Sequence, residues 1–437
     1  MNIFWFRRDL RLNDNAGLYH ALKNEKDVQC IFIFDTSILD NLSDKSDARV
    51  TFIHNTITEL KEELIVLGSD LNVYYGNPIE IWKTIIKGND ISNIYTNRDY
   101  ESYALKRDQQ VADLAQKNNI EFKTFKDHVV FEGKEVTKDD GLPYTVFTPY
   151  KRKWLAKLDS KSKAGLSYYF KKYPNKKYFS DFNKVSHSTP LITLGEMGFE
   201  KSNLELPKST VTQKVIKSYG DDRDFPAKLG TSKLGIHFRF GTISIREKAR
   251  KAHKLSDIFL SELVWRDFYA QILSNFPHVE KNAFREKYER VEWRHDDKEF
   301  EAWCNGQTGY PMVDAGMREL NATGFMHNRV RMVTASFLTK HLLMDWRLGE
   351  AYFAEKLLDF DLASNNGGWQ WAAGCGTDAA PYFRIFNPES QQKKFDKEYK
   401  YIKKWIPEWG SDAYVSPIVD HKFARERCLR VYKEGLT

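Results

Sequence analysis

The sequence predicts an open parallel α/β sheet followed by an all-helical body, with a long connection between them. Three observations carry that prediction. Over residues 1–127 short strand-like runs alternate with helix-length periodic segments, the order that parallel βαβ units impose. Over 128–194 the chain turns rich in Lys, Tyr and turn-forming residues and loses its periodicity. From 195 to 437 helical spacing dominates and strand signals fade.

Taken in order, the strand-like runs are IFWF (3–6), CIFIFD (30–35), LNVYY (71–75), ISNIYTN (91–97) and IEFKTF (120–125). Segments such as RVTFIHNTITELKEELIVLG (49–68) and ESYALKRDQQVADLAQKNN (101–119) separate them and read as helices. No G-x-G-x-x-G follows the first strand, so a ligand of this domain is not held by the dinucleotide fingerprint. The connection, with GLPYTVFTPYKRKWLAK and SYYFKKYPNKKYFSDFNK, is of a length that is uncommon unless packed or functional. Beyond it, LSDIFLSELVWRDFYAQILSNF (255–276) and HNRVRMVTASFLTKHLLMDW (327–346) each read as one helix.

A chain of 437 residues is long enough for two or three domains. Its 41% hydrophobic and 29% charged residues are those of a globular protein, but the aromatic share is high, 14%, with 11 Trp, 22 Tyr and 29 Phe. Such rings make bulky cores or flat surfaces for flat ligands. The net charge of +7 permits a basic face for a polyanion without demonstrating one. Cys30, Cys304, Cys375 and Cys428 stand singly, which suggests neither a disulfide framework nor a metal site. The opening MNIFWFRRDLRLNDN has too few apolar residues for a signal peptide. No apolar run approaches the roughly 20 residues of a membrane span. A cytoplasmic location away from membranes is expected.

Four clusters carry candidate chemistry. In SELVWRDFY (261–269), Glu262, Trp265 and Arg266 share one helix face; an inward carboxylate there needs a partner, and an internal Glu–Arg pair packed by Trp fits the spacing as well as a binding site does. In TGFMHNRVRM (323–332), Asn328 and Met332 are i,i+4 neighbours while Arg329 and Arg331 point elsewhere, and His327 reads as structural. In GTSKLG (230–235) small residues and hydroxyls precede a helix-like segment, where backbone N–H groups can meet phosphate oxygens or a plain N-cap can form. In NNGGWQWAAGCGTDAAPYFRIFNP (365–388), preceded by Asp359 and Asp361, Gly367 and Gly368 allow close backbone approach. Trp369 and Trp371, two apart on a helix, point in different directions.

Together these residues resemble the photolyase/cryptochrome family, most closely its class I cyclobutane pyrimidine dimer DNA photolyases. The resemblance runs from FWFRRDLRLNDN to WIPEW and is most specific over Glu262–Trp265, Thr308–Met332 and Asp359–Pro388. It implies an N-terminal Rossmann-like antenna domain (1–127), a linker (128–194) and a helical domain (195–437) that holds FAD, with the reduced anionic flavin as the active form. It implies that light drives an electron from reduced FAD to a dimer flipped out of UV-damaged DNA, a carbon–carbon lyase reaction, and that the chain acts as a monomer. By position, Tyr219, Thr231, Ser232, Lys233, Leu234 and Gly235 would line the pyrophosphate and ribose; Gly235 stands where the family usually has Ser. Arg331 with Asp359 would flank the isoalloxazine, Asp361 would meet its imide edge, Asn365 would face N5, and Phe259 replaces a packing Trp. Glu262, Trp265, Asn328, Met332 and Trp371 match the dimer pocket. Trp369, Trp346 and Trp293 match an electron relay to the surface, and Arg223, Arg266, Arg329, Arg384 and Gln391 match groups that meet DNA.

A second, antenna chromophore is less legible. Tyr103 and Ala104 stand where pterin-binding members carry Asn-Glu, and Glu280 beside Lys281 replaces a small residue. These departures disfavour methenyltetrahydrofolate and leave a deazaflavin, a flavin or no antenna. Asn328 and Met332 stand where six-four photolyases have His. Plant-type cryptochromes carry an acid at the position of Asn365, and DASH-type cryptochromes lack Trp at that of Trp371. The rival from another class is a blue-light signalling flavoprotein that binds DNA without repairing it.

Overall fold

The strand Val28–Asp35 is buried at all eight positions, as expected of a central parallel strand covered on both faces. In the computed structural model, which describes residues 1–160 and 168–437, it is β2 of a five-stranded parallel sheet. β1 is Asn2–Phe6, β3 Leu71–Gly76, β4 Asn93–Asn97 and β5 Glu121–Phe125, in the order β3-β2-β1-β4-β5. Register follows the apolar runs: Phe4 lies opposite Cys30 and Tyr95, and Phe32 opposite Val73. One face packs Phe4, Phe6, Phe32 and Phe34 against Leu18, Leu22, Ile57 and Leu60; the other packs Ile3, Trp5, Ile31 and Ile33 against Trp82, Ile85 and Val111. Side-chain caps start the crossover helices: Asn15 before Ala16–Asn24, Asp47 before Ala48–Val66, and Asn77 before Pro78–Gly88, with Pro at the first turn.

The chain divides into two compact units. The first is Met1–Glu132 with Leu155–Ser209 and Leu234–His253; the second is Gly133–Trp154 with Thr210–Lys233 and Lys254–Thr437. The second is built on helices whose core includes Trp303, Met317, Phe337, Trp346, Trp369 and Tyr432. The five expected strands all form. Two expectations about other segments change. The connection holds a helix, Phe147–Ser160, and a 3-10 helix, Asn175–Asp181, because Tyr150, Trp154 and Leu158, at helical spacing, all bury. The single helix expected over 327–346 breaks into Asn328–Ser336, a π-turn at Phe337–His341, and Trp346–Lys356. There Leu343 takes a left-handed backbone, φ 54°, and Asp345 caps a new start by accepting from Arg347 N–H. Among the described residues no helix is long and apolar enough to cross a membrane.

Candidate active site

The second unit holds a cavity of about 510 Å³, within the usual range for a ligand site. Three helices form most of its wall, and each is positioned by a cap that the sequence supplies.

The helix Asp257–Asn275 starts at Ser256, whose Oγ accepts from Phe259 N–H. Its positions 262, 265, 266 and 269 follow a three-and-four spacing onto one face, so Glu262, Trp265, Arg266 and Tyr269 all reach the cavity. The Glu262 carboxylate pairs with Arg223, both side chains about a third exposed. Burial pushes its carboxyl above the ordinary value, and Arg223 opposes that rise.

The helix Asn328–Ser336 is capped by His327, whose Nδ1 accepts from Arg329 N–H at 3.2 Å. Burial, with Arg331 beside it, lowers the His327 ring to about 4, so the cap is a neutral imidazole. Asn328 and Met332 line the cavity as expected, but Arg329 and Arg331 line it too. The expectation that they point elsewhere fails because the cavity wraps the start of the helix, where long side chains reach round. Both are paired: Arg329 donates to Asp224 at 2.7 Å, and one Nη2 of Arg331 lies 3.0 Å from each oxygen of Asp359. Arg331 Nε also donates to the Met326 carbonyl.

The helix Leu362–Ala373 is capped by Asp361, which accepts from the Ser364 N–H and hydroxyl. Asn366 and Gln370 anchor one side by donating to the Val279 carbonyl. The cavity side presents Asn365, Gly368, Trp369 and Trp371. The Asn365 amide nitrogen donates to Glu350 twice, to the backbone carbonyl at 3.0 Å and to Oε1 at 2.9 Å, which leaves its carbonyl oxygen for the cavity. Trp369 is buried and packs edge-on against Phe353, while Trp371 is only half-buried.

Among the residues matched to the cofactor, Tyr219, Thr231, Arg331, Asp359, Asp361 and Asn365 line the cavity. Phe259 lies behind Tyr219, edge-on at 5.0 Å. Ser232 and Lys233 follow Thr231 off the wall; Lys233 holds a left-handed backbone at φ 51°. Leu234 and Gly235 belong to the first compact unit. Among the residues matched to DNA, Arg223, Arg266 and Arg329 are on the wall, while Arg384 is exposed and Gln391 half-buried off it. Trp346 is buried and Trp293 half-buried, away from the wall. The sequence reading missed Asp224, Tyr269, Ala335, Phe353, Leu357, Phe360 and Ser364. Tyr269 was within reach by continuing the Glu262–Trp265–Arg266 spacing one turn; Phe353 and Leu357 carry only a core-like signal.

The cavity fits FAD on its own terms. An added Cβ at Gly368 would meet nothing within 4 Å, so the wall is open there to a flat ring. The amide of Asn365, the guanidinium of Arg331 and the carboxylates of Asp359 and Asp361 line the same cavity.

Residues 2–167 match the family model described as DNA photolyase, and residues 259–412 the one described as FAD binding domain of DNA photolyase. The chain is 35% identical to the deoxyribodipyrimidine photo-lyase of Halobacterium salinarum, over 100% of this chain and 99% of that one. It is 36% identical to that of Vibrio cholerae, over 99% of each. A bacterial class III photolyase from Agrobacterium tumefaciens superposes with a TM-score of 0.86 at 30% identity, covering 99% of this chain and 97% of that one. A photolyase from Sulfolobus tokodaii, solved with two FAD molecules, superposes at 0.82 and 35% identity, covering 99% and 100%. The fold and the site define a flavin-binding light enzyme scaffold. The chain belongs to the photolyase/cryptochrome family.

Proposed function

We propose that this chain splits cyclobutane pyrimidine dimers in DNA, using blue light and bound FAD. The observation that carries the reading is that residues matched to the flavin and residues matched to the dimer line one cavity. Arg331–Asp359, Asp361 and Asn365 form the flavin side; Glu262, Trp265, Asn328, Met332 and Trp371 form the dimer side. FAD, when bound, supplies the light-driven electron that opens the cyclobutane ring.

The protein's own groups bind, orient and meet charge. Trp265 and Trp371 offer flat apolar surfaces to two fused pyrimidines, and Asn328, exposed at the mouth, offers an amide to their polar edges. Flipping a base out costs about a few kcal/mol, least where stacking is already damaged. Glu262, desolvated and hydrogen-bonded by Arg223 on the dimer side, meets with that pair the negative charge that a dimer gains on accepting an electron. Asn365, held by Glu350 with its carbonyl oxygen outward, places an acceptor and no charge on the flavin side. Trp369 on the wall, Trp346 in the core and Trp293 nearer the surface support a relay that restores the reduced cofactor. Arg223, Arg329 and the exposed Arg384 supply positive charge for phosphates.

The test is an absorption spectrum of the purified protein, followed by blue-light treatment of an oligonucleotide carrying one thymine dimer. Flavin bands with progressive loss of dimer are expected. Light-dependent flavin reduction with no dimer loss would instead favour a signalling flavoprotein.

A further inference from the structure

Phe147 lies on one face of Trp265, ring against ring, with centroids 3.6 Å apart and planes 7° apart. Phe147 is 7% exposed and lies off the cavity wall, whereas Trp265 is on it. Phe147 thus covers one face of an indole that lines the cavity. The remaining ring neighbours are not flat against it: Phe268 is edge-on at 5.6 Å, and Tyr269 is tilted by 31° at 5.4 Å.

Phe147 is itself held in place. Its backbone N–H donates to Asp378 Oδ2 at 3.2 Å, and its ring meets Phe268 edge-on at 5.8 Å. One turn along the same helix Tyr150 packs on Phe268 at 5.3 Å. Two turns along, Trp154 Nε1 donates to the buried Asp267 at 3.0 Å. Positions 147, 150 and 154 share one helix face, so a stretch of the connection is fastened along the helix that carries Glu262 and Trp265. The Asp378 bond caps the first turn of this helix, and the same turn sets the Phe147 ring on the back of one indole.

We propose that Phe147 is a positioning residue for dimer recognition: it occupies the rear face of Trp265 and fixes the indole plane, so that a flipped-out dimer stacks on the cavity face alone. This rests on the repair reading above. A tryptophan free to turn about its side-chain torsions would lose that freedom on binding, and the loss would come out of affinity. A stacked aromatic partner removes most of the cost in advance.

The test uses FAD-loaded protein. Phe147→Leu keeps bulk without a flat face, and Phe147→Tyr keeps the ring. The readout is the ratio of affinities for an oligonucleotide with one thymine dimer and the same oligonucleotide undamaged. F147L should lower that ratio roughly 3–10-fold, the range of one aromatic pair, with FAD content unchanged, and F147Y should restore it. In a Trp265→Ala background F147L should have no further effect. Equal losses on both oligonucleotides, or the same loss with Trp265 absent, would overturn the proposal. A second readout needs no DNA: the near-ultraviolet circular dichroism band that Trp265→Phe removes should shift in F147L and return in F147Y. If the unaltered protein shows no preference for the dimer, the repair reading fails by itself. An unchanged Trp265 band in F147L would then sink the positioning role separately.

Discussion

Glu262 and His327 show how single groups at the cavity are tuned by burial. The Glu262 carboxyl is raised by desolvation and drawn down by Arg223. A raised acid holds its proton more tightly folded than unfolded. Stability therefore falls as pH rises from the ordinary 4.5 through the folded value, and stays reduced above it. Arg223→Met removes the opposing cation. That variant should melt below the parent protein at pH 8, with the gap closing as pH falls toward 4.5; a gap independent of pH would show that Arg223 does not act on Glu262. His327 has the opposite sign. Its ring is lowered from 6.5 to about 4, so the unfolded chain binds the extra proton first and stability falls as pH drops through that window. The loss amounts to about 3 kcal/mol by pH 4, and protonation of Nδ1 also removes the cap on Arg329 N–H. His327→Asn keeps a cap acceptor and should flatten the melting temperature between pH 6.5 and 4.

The helix Leu362–Ala373 shows how an element is placed by what its neighbours lack. Its Trp369 ring rests against Gly349, where an added Cβ would stand 2.1 Å from the indole, and a Cβ added at its Gly367 would stand 2.2 Å from the Tyr269 ring. Both distances are far inside contact, so a methyl there must push the helix or the ring. Gly349→Ala should cost about 1–3 kcal/mol and lower FAD retention, because Asn365 and Trp369 move together. A melting curve and a flavin-to-protein absorbance ratio check it; full retention would show that the wall tolerates the shift. The pairing of the two glycines with close backbone approach was legible in the sequence only for Gly367. Gly349 gave no signal, since its reason is a tryptophan twenty residues away. The break between Asn328–Ser336 and Trp346–Lys356 was equally silent, because Leu343 in a left-handed turn carries no Gly or Asn to mark it.

Across the whole molecule the net charge of +7 is modest, so the distribution of unpaired cations decides how DNA is met. The Arg384 side chain is exposed, and among the described residues its guanidinium has a distant contact to the Phe386 ring, 5.9 Å to its centroid. Arg329 is matched by Asp224 and lies over Phe395. Arg384→Ala should reduce the slope of log affinity against log salt by about one phosphate's contribution, 0.9. Arg329→Ala should reduce it less, because the freed Asp224 already offsets that charge. Titration of an undamaged duplex at several salt concentrations separates the two; equal slopes would mean that the Asp224 pair opens on binding.

Local pattern was enough for the strands, for most long helices and for the residue types around the cavity. Alternation, helical periodicity and cap chemistry act over a few residues, and Glu262, Trp265, Asn328, Asp361 and Asn365 are each placed by a cap or spacing within a turn or two. Packing between distant segments settled the rest: Arg329 and Arg331 on the wall, Glu350 orienting Asn365, Phe147 behind Trp265. None of these follows from spacing, because each is a contact between side chains brought together only when separate helices bury their apolar faces on one another. Burial, which raises Glu262 and lowers His327, likewise exists only in the folded protein.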